Sequence, residues 1–366
     1  MLPWPLLLAL VWCWISLAWA INVGIAVRSL VLTTLTAWNT FILVQAAGYE
    51  RTLSVLRVVL CGLLAVNFAV VVLDPGLGKH LMLDSAVATT NVGAWRGIMG
   101  HKNVAGAACA ITVLLFLFDA GQIKLWLRAL VVATAGTFLF MSQSKTSAGV
   151  LGIAILCGWI YHRFSERIRK FLIPIIMFAT AVIFFLGSTY SSFVVDHYLN
   201  AKAFTGRGWI WSAMLRYSGD HLLLGSGFGS FWNIGGDSPI YKYGLGFVRE
   251  VTVGHNGFLD LLVSVGLIGL LLVVFATVLR PTWQLLTNRI IPARGALAVT
   301  LLVFCVGHNV TETSVLARDV FVGVIMLIAI AFANNRDLLG LPAGKKVGGG
   351  DVFAALAKRG RETARA

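Results

Sequence analysis

Apolar runs of about 20 residues, the length needed to cross a bilayer core, recur along this chain almost without relief. They fall within residues 1–27 and then at 29–48, 53–73, 103–118, 126–143, 146–162, 171–188, 256–279, 295–310 and 317–333. No soluble domain could bury so many, and the composition agrees. Apolar residues make up 58% of the 366 and charged residues only 12%, where soluble domains carry about 25% charged. The expected fold is an all-α polytopic membrane protein of about ten transmembrane helices. The domain layout is a single transmembrane domain over 1–335, followed by a basic, partly disordered cytoplasmic tail over 336–366. Residues 1–27 lack the basic n-region of a secretory leader, so they read as a retained first helix.

The formal net charge of +14 is not a nucleic-acid footprint, because the basic residues sit in short clusters between apolar runs. Arg163 to Lys170, the segment holding Arg280, Arg289 and Arg294, and the tail all fall on one side of a ten-span count. The positive-inside rule makes that side cytoplasmic. The loops near 74–102, 142–146, 189–255 and 309–316 then share the opposite side. All five cysteines lie in apolar runs, with no CxxC pair, and read as buried free thiols.

The polar exceptions gather on that far side. Arg96, His101 and Lys102 precede one apolar run, Lys145 sits in the short turn Ser142–Ser147, and the long loop 189–255 is the one sizeable polar insertion. Within the loop a helix is expected over 208–218, with Arg207 at its start and Arg216 able to pair with Asp220. The run Gly225-Ser226-Gly227-Phe228-Gly229 lacks the strand and helix of a nucleotide-binding loop and suits a close backbone approach instead. His255 and Asn256 open the next span, and His308 and Glu312 lie at the far-side end of another. Ionisable groups at such positions point to a shared polar chamber. The far-side acids form no Asp-x-Asp pair and no cluster with metal-ligand spacing.

These elements resemble the signature of the O-antigen ligase and exopolysaccharide polymerase family. The resemblance rests on Gly206-Arg207-x-x-Ile210-Trp211, Leu224-Gly225-x-Gly227-x-Gly229-x-Phe231, and His255-Asn256-x-Phe258-Leu259 with Gly266-Leu267-Ile268-Gly269. Arg96-Gly97-x-x-x-His101-Lys102-Asn103 and Asn309-x-x-Glu312 look like two further family elements, the latter with Thr313 intervening before Ser314. Ser264 and Lys145 depart from the Glu and Arg frequent there. The resemblance implies a bacterial inner-membrane glycosyltransferase of the metal-independent, inverting kind, with no cofactor. Its donor would be an undecaprenyl-diphosphate-linked glycan, used on the periplasmic face. The form of the first element favours a repeat-unit polymerase over a ligase acting on lipid A core. His255 is the expected base and Arg207 the expected diphosphate stabiliser. Lys145, Arg96, His101, Lys102, Asn256, His308, Glu312 and Arg216 are expected around the substrate. The expected partners are the lipid-linked oligosaccharide, membrane lipids and other polysaccharide assembly and export proteins. A transporter of lipid-linked sugars and a structural assembly partner stand as alternatives from other classes.

Overall fold

The computed structural model describes residues 2–81, 91–198, 206–317 and 320–335. The expected cytoplasmic tail and parts of the first and long far-side loops therefore lie outside the described residues. Among the described residues the chain is helical, with one isolated bridge, between Lys79 and Trp95. A chain with so few polar side chains must satisfy its backbone internally, and helices do so without partners.

In order, α1 spans Trp4–Ile15, α2 Val23–Leu73, α3 Lys102–Leu117, α4 Leu125–Met141, α5 Lys145–Arg163 and α6 Glu166–Tyr198. They are followed by α7 Arg207–Asp220, α8 Gly257–Val274, α9 Arg280–Thr287, α10 Pro292–Asn309 and α11 Phe321–Ala333. A π-helical turn over Phe275–Leu279 joins α8 to α9. Among the described residues two elements, Val23–Leu73 and Gly257–Thr287, are long and apolar enough to cross a membrane by length and composition. Most of the other expected spans correspond to helices that are shorter or less apolar, so the structure supports the all-α class but not the full count of ten. Of the expected thiols, Cys13, Cys109, Cys157 and Cys305 are buried, and Cys61 is half-buried.

The 51-residue α2 holds two of the expected spans. Gly48, at φ 74° and ψ 173°, lies in a backbone region essentially reserved for glycine and reverses the chain there. Contacts along the helix show the reversal. Thr33 donates to the Leu316 carbonyl, Glu50 pairs with Arg294, and Asn67 accepts from the Ile98 amide. Thr33 and Asn67 therefore sit at one end of the bundle and Glu50 at the other. Arg57 lies toward the Glu50 end, where its guanidinium binds the Leu115 and Asp119 carbonyls and caps α3. The basic clusters with described side chains, such as Arg169 stacked over Tyr161, belong to this second end.

α10 forms the core: every residue from Gly295 to Asn309 is buried. Small residues let its neighbours close in. A Cβ on Gly158 of α5 would meet Thr300 Cγ2 at 2.3 Å, and one on Gly295 would meet the Tyr161 hydroxyl at 2.3 Å.

α8 is broken midway. Gly266 adopts φ 69° and ψ −175°, and the backbone groups this frees are taken up by other segments. Ser226 N–H donates to Val263 O at 2.9 Å, Leu267 N–H donates to Leu222 O at 2.8 Å, and Trp12 Nε1 donates to Val265 O at 3.0 Å. The glycine-rich run is thus a backbone wedge in the gap, as its composition led us to expect. Gly225 and Gly227 also take positive φ, and Cβ atoms there would strike Ser264 and Ala20.

Gly266→Ala would place its Cβ 2.0 Å from the Leu223 carbonyl oxygen in a conformation alanine rarely adopts. We expect a loss of about 3 kcal/mol or more, combining backbone strain with the clash. It would be read as a lowered thermal midpoint in detergent, with Gly121→Ala, which meets nothing within 4 Å, as the unaffected control.

Candidate active site

At the Thr33 and Asn67 end of the bundle, four helices begin close together: α3 at Lys102, α5 at Lys145, α7 at Arg207 and α8 at Gly257. Each start carries the partial positive end of a helix dipole, and together they favour an anion. Glu312, in the turn after α10, meets them. Its Oε1 accepts from Arg207 Nη2 at 2.6 Å and from Asn103 Nδ2 at 2.6 Å, and its Oε2 lies 3.2 Å from His255 Nδ1. Its main-chain oxygen accepts from the Gly257 amide at 3.1 Å.

Local chemistry fixes each group. Asn103 is oriented by the Ser142–Ser147 turn, where the Ser144 hydroxyl bonds Asn103 Oδ1 at 3.2 Å and Ser147 Oγ at 2.9 Å. Gly206, at φ 67°, begins α7 so that Arg207 points inward. His255 takes the left-handed φ of 51°, uncommon for a residue with a side chain. It is held there from both sides. Trp211 Nε1 grips the Gly254 carbonyl at 2.9 Å, and Asn256 caps α8 by accepting from the Phe258 and Leu259 amides. Asn309 shapes the Glu312 turn, accepting from the Ser314 and Val315 amides at 2.8 Å each.

The electrostatics favour one carboxylate among cations. Burial raises the affinity of Glu312 for a proton, but the His255 hydrogen bond and the Arg207 charge outweigh it and hold the carboxyl at about 2. Lys102 is lowered by burial and by the charges of Lys145 and Arg207, so three cations face one another. Burial lowers His101 to about 4, against the attraction of Glu312. His101 also accepts the Asn103 amide at 3.2 Å, which a neutral ring can do.

The structure therefore gathers Lys102, Lys145, Arg207, His255, Glu312 and His101 at one centre. His308 lies one turn before Glu312, buried, stacked on Phe304, and without a hydrogen-bond partner on either ring nitrogen. Asn256 is buried and serves the helix cap, so its contribution is to position His255. Arg96 and Arg216 are not brought to this centre. Arg96 Nε donates to Leu77 O at 3.1 Å, in a loop whose Ile98 amide donates to Asn67. Arg216 Nη2 donates to Tyr243 O at 2.8 Å, well along α7 from Arg207. The expected Arg216 pairing with Asp220 is replaced by one between Asp220 and the Tyr243 hydroxyl at 2.6 Å.

Sequence reasoning overlooked two residues. Asp260, buried in α8, accepts from Trp232 Nε1 at 2.7 Å and from the Thr313 hydroxyl, tying the long loop and the Glu312 turn to one helix. Asn67, buried in α2, binds the Ile98 amide. Both were visible as polar residues inside apolar runs. Among the described residues no group of three or more His, Cys, Asp or Glu side chains could hold a metal ion.

Such a bundle sets cations and helix starts around one His–Glu pair. Residues 129–274 match the family model described as O-antigen ligase. The match covers less than half of the chain and makes this central segment similar to that family, whose members are membrane enzymes acting on lipid-linked glycans. Lys145, Arg207 and His255 lie inside the matched segment, while His101, Lys102 and Glu312 reach the centre from outside it. No curated protein matches the chain.

The two depressed groups act in different pH windows. Stability from Glu312 is complete above its ordinary value of 4.5 and is lost only as pH falls toward about 2. Stability from neutral His101 is complete above 6.5 and is lost as pH falls toward about 4. A His101→Asn variant keeps a capping side chain. It should therefore show a smaller drop in thermal midpoint between pH 7 and pH 5 than the wild type.

Proposed function

We propose that this protein is a bacterial inner-membrane glycosyltransferase that polymerises undecaprenyl-diphosphate-linked repeat units on the periplasmic face. The observation that carries this reading is the His255–Glu312–Arg207 constellation set among four helix starts. The described basic clusters lie at the opposite end of the bundle, which supports a periplasmic site by the positive-inside rule.

The chemistry follows from the geometry. With Nδ1–H donating to Glu312, Nε2 of His255 is the basic nitrogen and can take the proton of an acceptor hydroxyl. The hydroxyl oxygen attacks the anomeric carbon of the donor sugar as the bond from that carbon to the diphosphate oxygen breaks. The bonding pair leaves with the diphosphate, and a single displacement inverts the configuration. Arg207, Lys102 and Lys145 meet the negative charge that develops, and Glu312 steadies the imidazolium. No metal is required by this scheme, since cations fill the charge-stabilising role.

The polymerase reading is favoured over ligation to lipid A core by the Arg96-to-Asn103 element and the Ser142–Lys145 turn. A lipid-linked sugar transporter would need its broken helix to open onto a polar path. The break at Gly266 is instead filled by the backbone of Leu222–Ser226.

In purified, reconstituted protein, His255→Ala and Arg207→Ala should each lower polymerisation by about two decades or more, the scale of losing one preorganised donor. Arg216→Ala should stay near the wild-type rate. Wild-type product ladders from either of the first two variants would overturn the mechanism.

A further inference from the structure

A cavity of about 1030 Å³ opens at the same end of the bundle but at the other end of α7. Arg207 begins that helix in the catalytic centre, and Tyr217 and Asp220 end it in the cavity wall. At 1.5 Å per residue the two lie about 20 Å apart. The cavity shares no lining residue with the His255–Glu312 centre.

Its chemistry also differs. Aromatic rings dominate one wall: Tyr217 stacks on His221 at 4.3 Å and meets Tyr243 edge-on at 5.3 Å, while Tyr241 is 47% exposed. Asp220 and Asp237 supply carboxylates, the Lys242 ammonium lies 5.2 Å over the Tyr243 ring, and the Arg216 guanidinium binds the Tyr243 carbonyl at 2.8 Å. In a protein of net charge +14, acids and bases balance here, beside a centre rich in cations. Diphosphates and anionic headgroups therefore gain no net charge attraction here. Sugars fit: their C–H faces pack on aromatic rings, and their hydroxyls donate to carboxylates.

We propose that this cavity is a second saccharide site, which holds a neutral stretch of the glycan while its reacting end lies at His255. The proposal rests on the glycosyltransferase reading, with α7 as a rigid spacer between the two sites. A chain long enough to occupy both is retained between transfers, so the cavity favours long products.

The test uses the full-length protein in nanodiscs, titrated calorimetrically with neutral hexasaccharides (maltohexaose, cellohexaose and N-acetylchitohexaose) and with oligogalacturonate as the anionic comparison. At least one neutral hexasaccharide should bind, oligogalacturonate should bind more weakly, and Tyr241→Ala should weaken neutral binding at least tenfold. Asp237→Asn should weaken it several-fold, while Arg207→Ala leaves it within twofold. In the polymerisation assay, Tyr241→Ala should shorten the ladder without slowing the first transfer. The proposal is overturned if no neutral hexasaccharide binds or if binding ignores both Tyr241→Ala and Asp237→Asn. Displacement of the sugar by phosphatidylglycerol in the nanodisc would assign the cavity to lipid instead, and also overturn it. Hexasaccharide binding that depends on Tyr241, in a wild-type protein that transfers no sugar, would sink the glycosyltransferase reading and leave the saccharide site standing.

Discussion

The Glu312 carboxylate is the interaction on which this architecture depends. Two positive side chains, Lys102 and Lys145, and the guanidinium of Arg207 face one another where four helices start. Without an anion, such a grouping would repel itself in a setting where charges are poorly screened. One carboxylate bonded to Arg207, Asn103 and His255 relieves part of that repulsion and joins segments far apart in sequence. It does not neutralise the site. The positive charge left over is what a diphosphate would meet.

The same end of the bundle is held rigid by backbone rather than by side chains. The interruption of α8 at Gly266 would leave unpaired amide and carbonyl groups in an apolar setting, at a cost of several kcal/mol each. The Leu222–Ser226 stretch of the long loop supplies the missing partners, and α1 adds Trp12. Docking the loop in this way anchors the stretch between Arg207 and His255, and both of these meet the same carboxylate. The left-handed backbone at His255 fits this view, since a residue held in an uncommon conformation by Trp211 and the Asn256 cap is one whose placement matters.

Electrostatic division of labour runs through the far-side surface. α7 carries a guanidinium at one end and an acid among aromatic rings at the other. A substrate that is anionic at its carrier and neutral along its sugars would be sorted by those two environments without any moving part.

Much of this was legible in the linear chain. Apolar run length determined the helices, because a backbone in a nonpolar medium has few other ways to satisfy itself, and the expected helix at 208–218 appears as Arg207–Asp220. The side on which polar groups collect was legible from the spacing of basic clusters, and the glycines of the long loop announced a close backbone approach. Other features were decided by tertiary structure alone. Arg96, Arg207 and Arg216 are equally cationic in sequence, yet only Arg207 reaches Glu312, because reach depends on which helix face meets which turn. Asp260 and Asn67 looked like isolated polar residues until packing gave them partners. The hairpin at Gly48 and the filled break at Gly266 in α8 share one cause: a single glycine permits many backbone paths, and only its neighbours select among them.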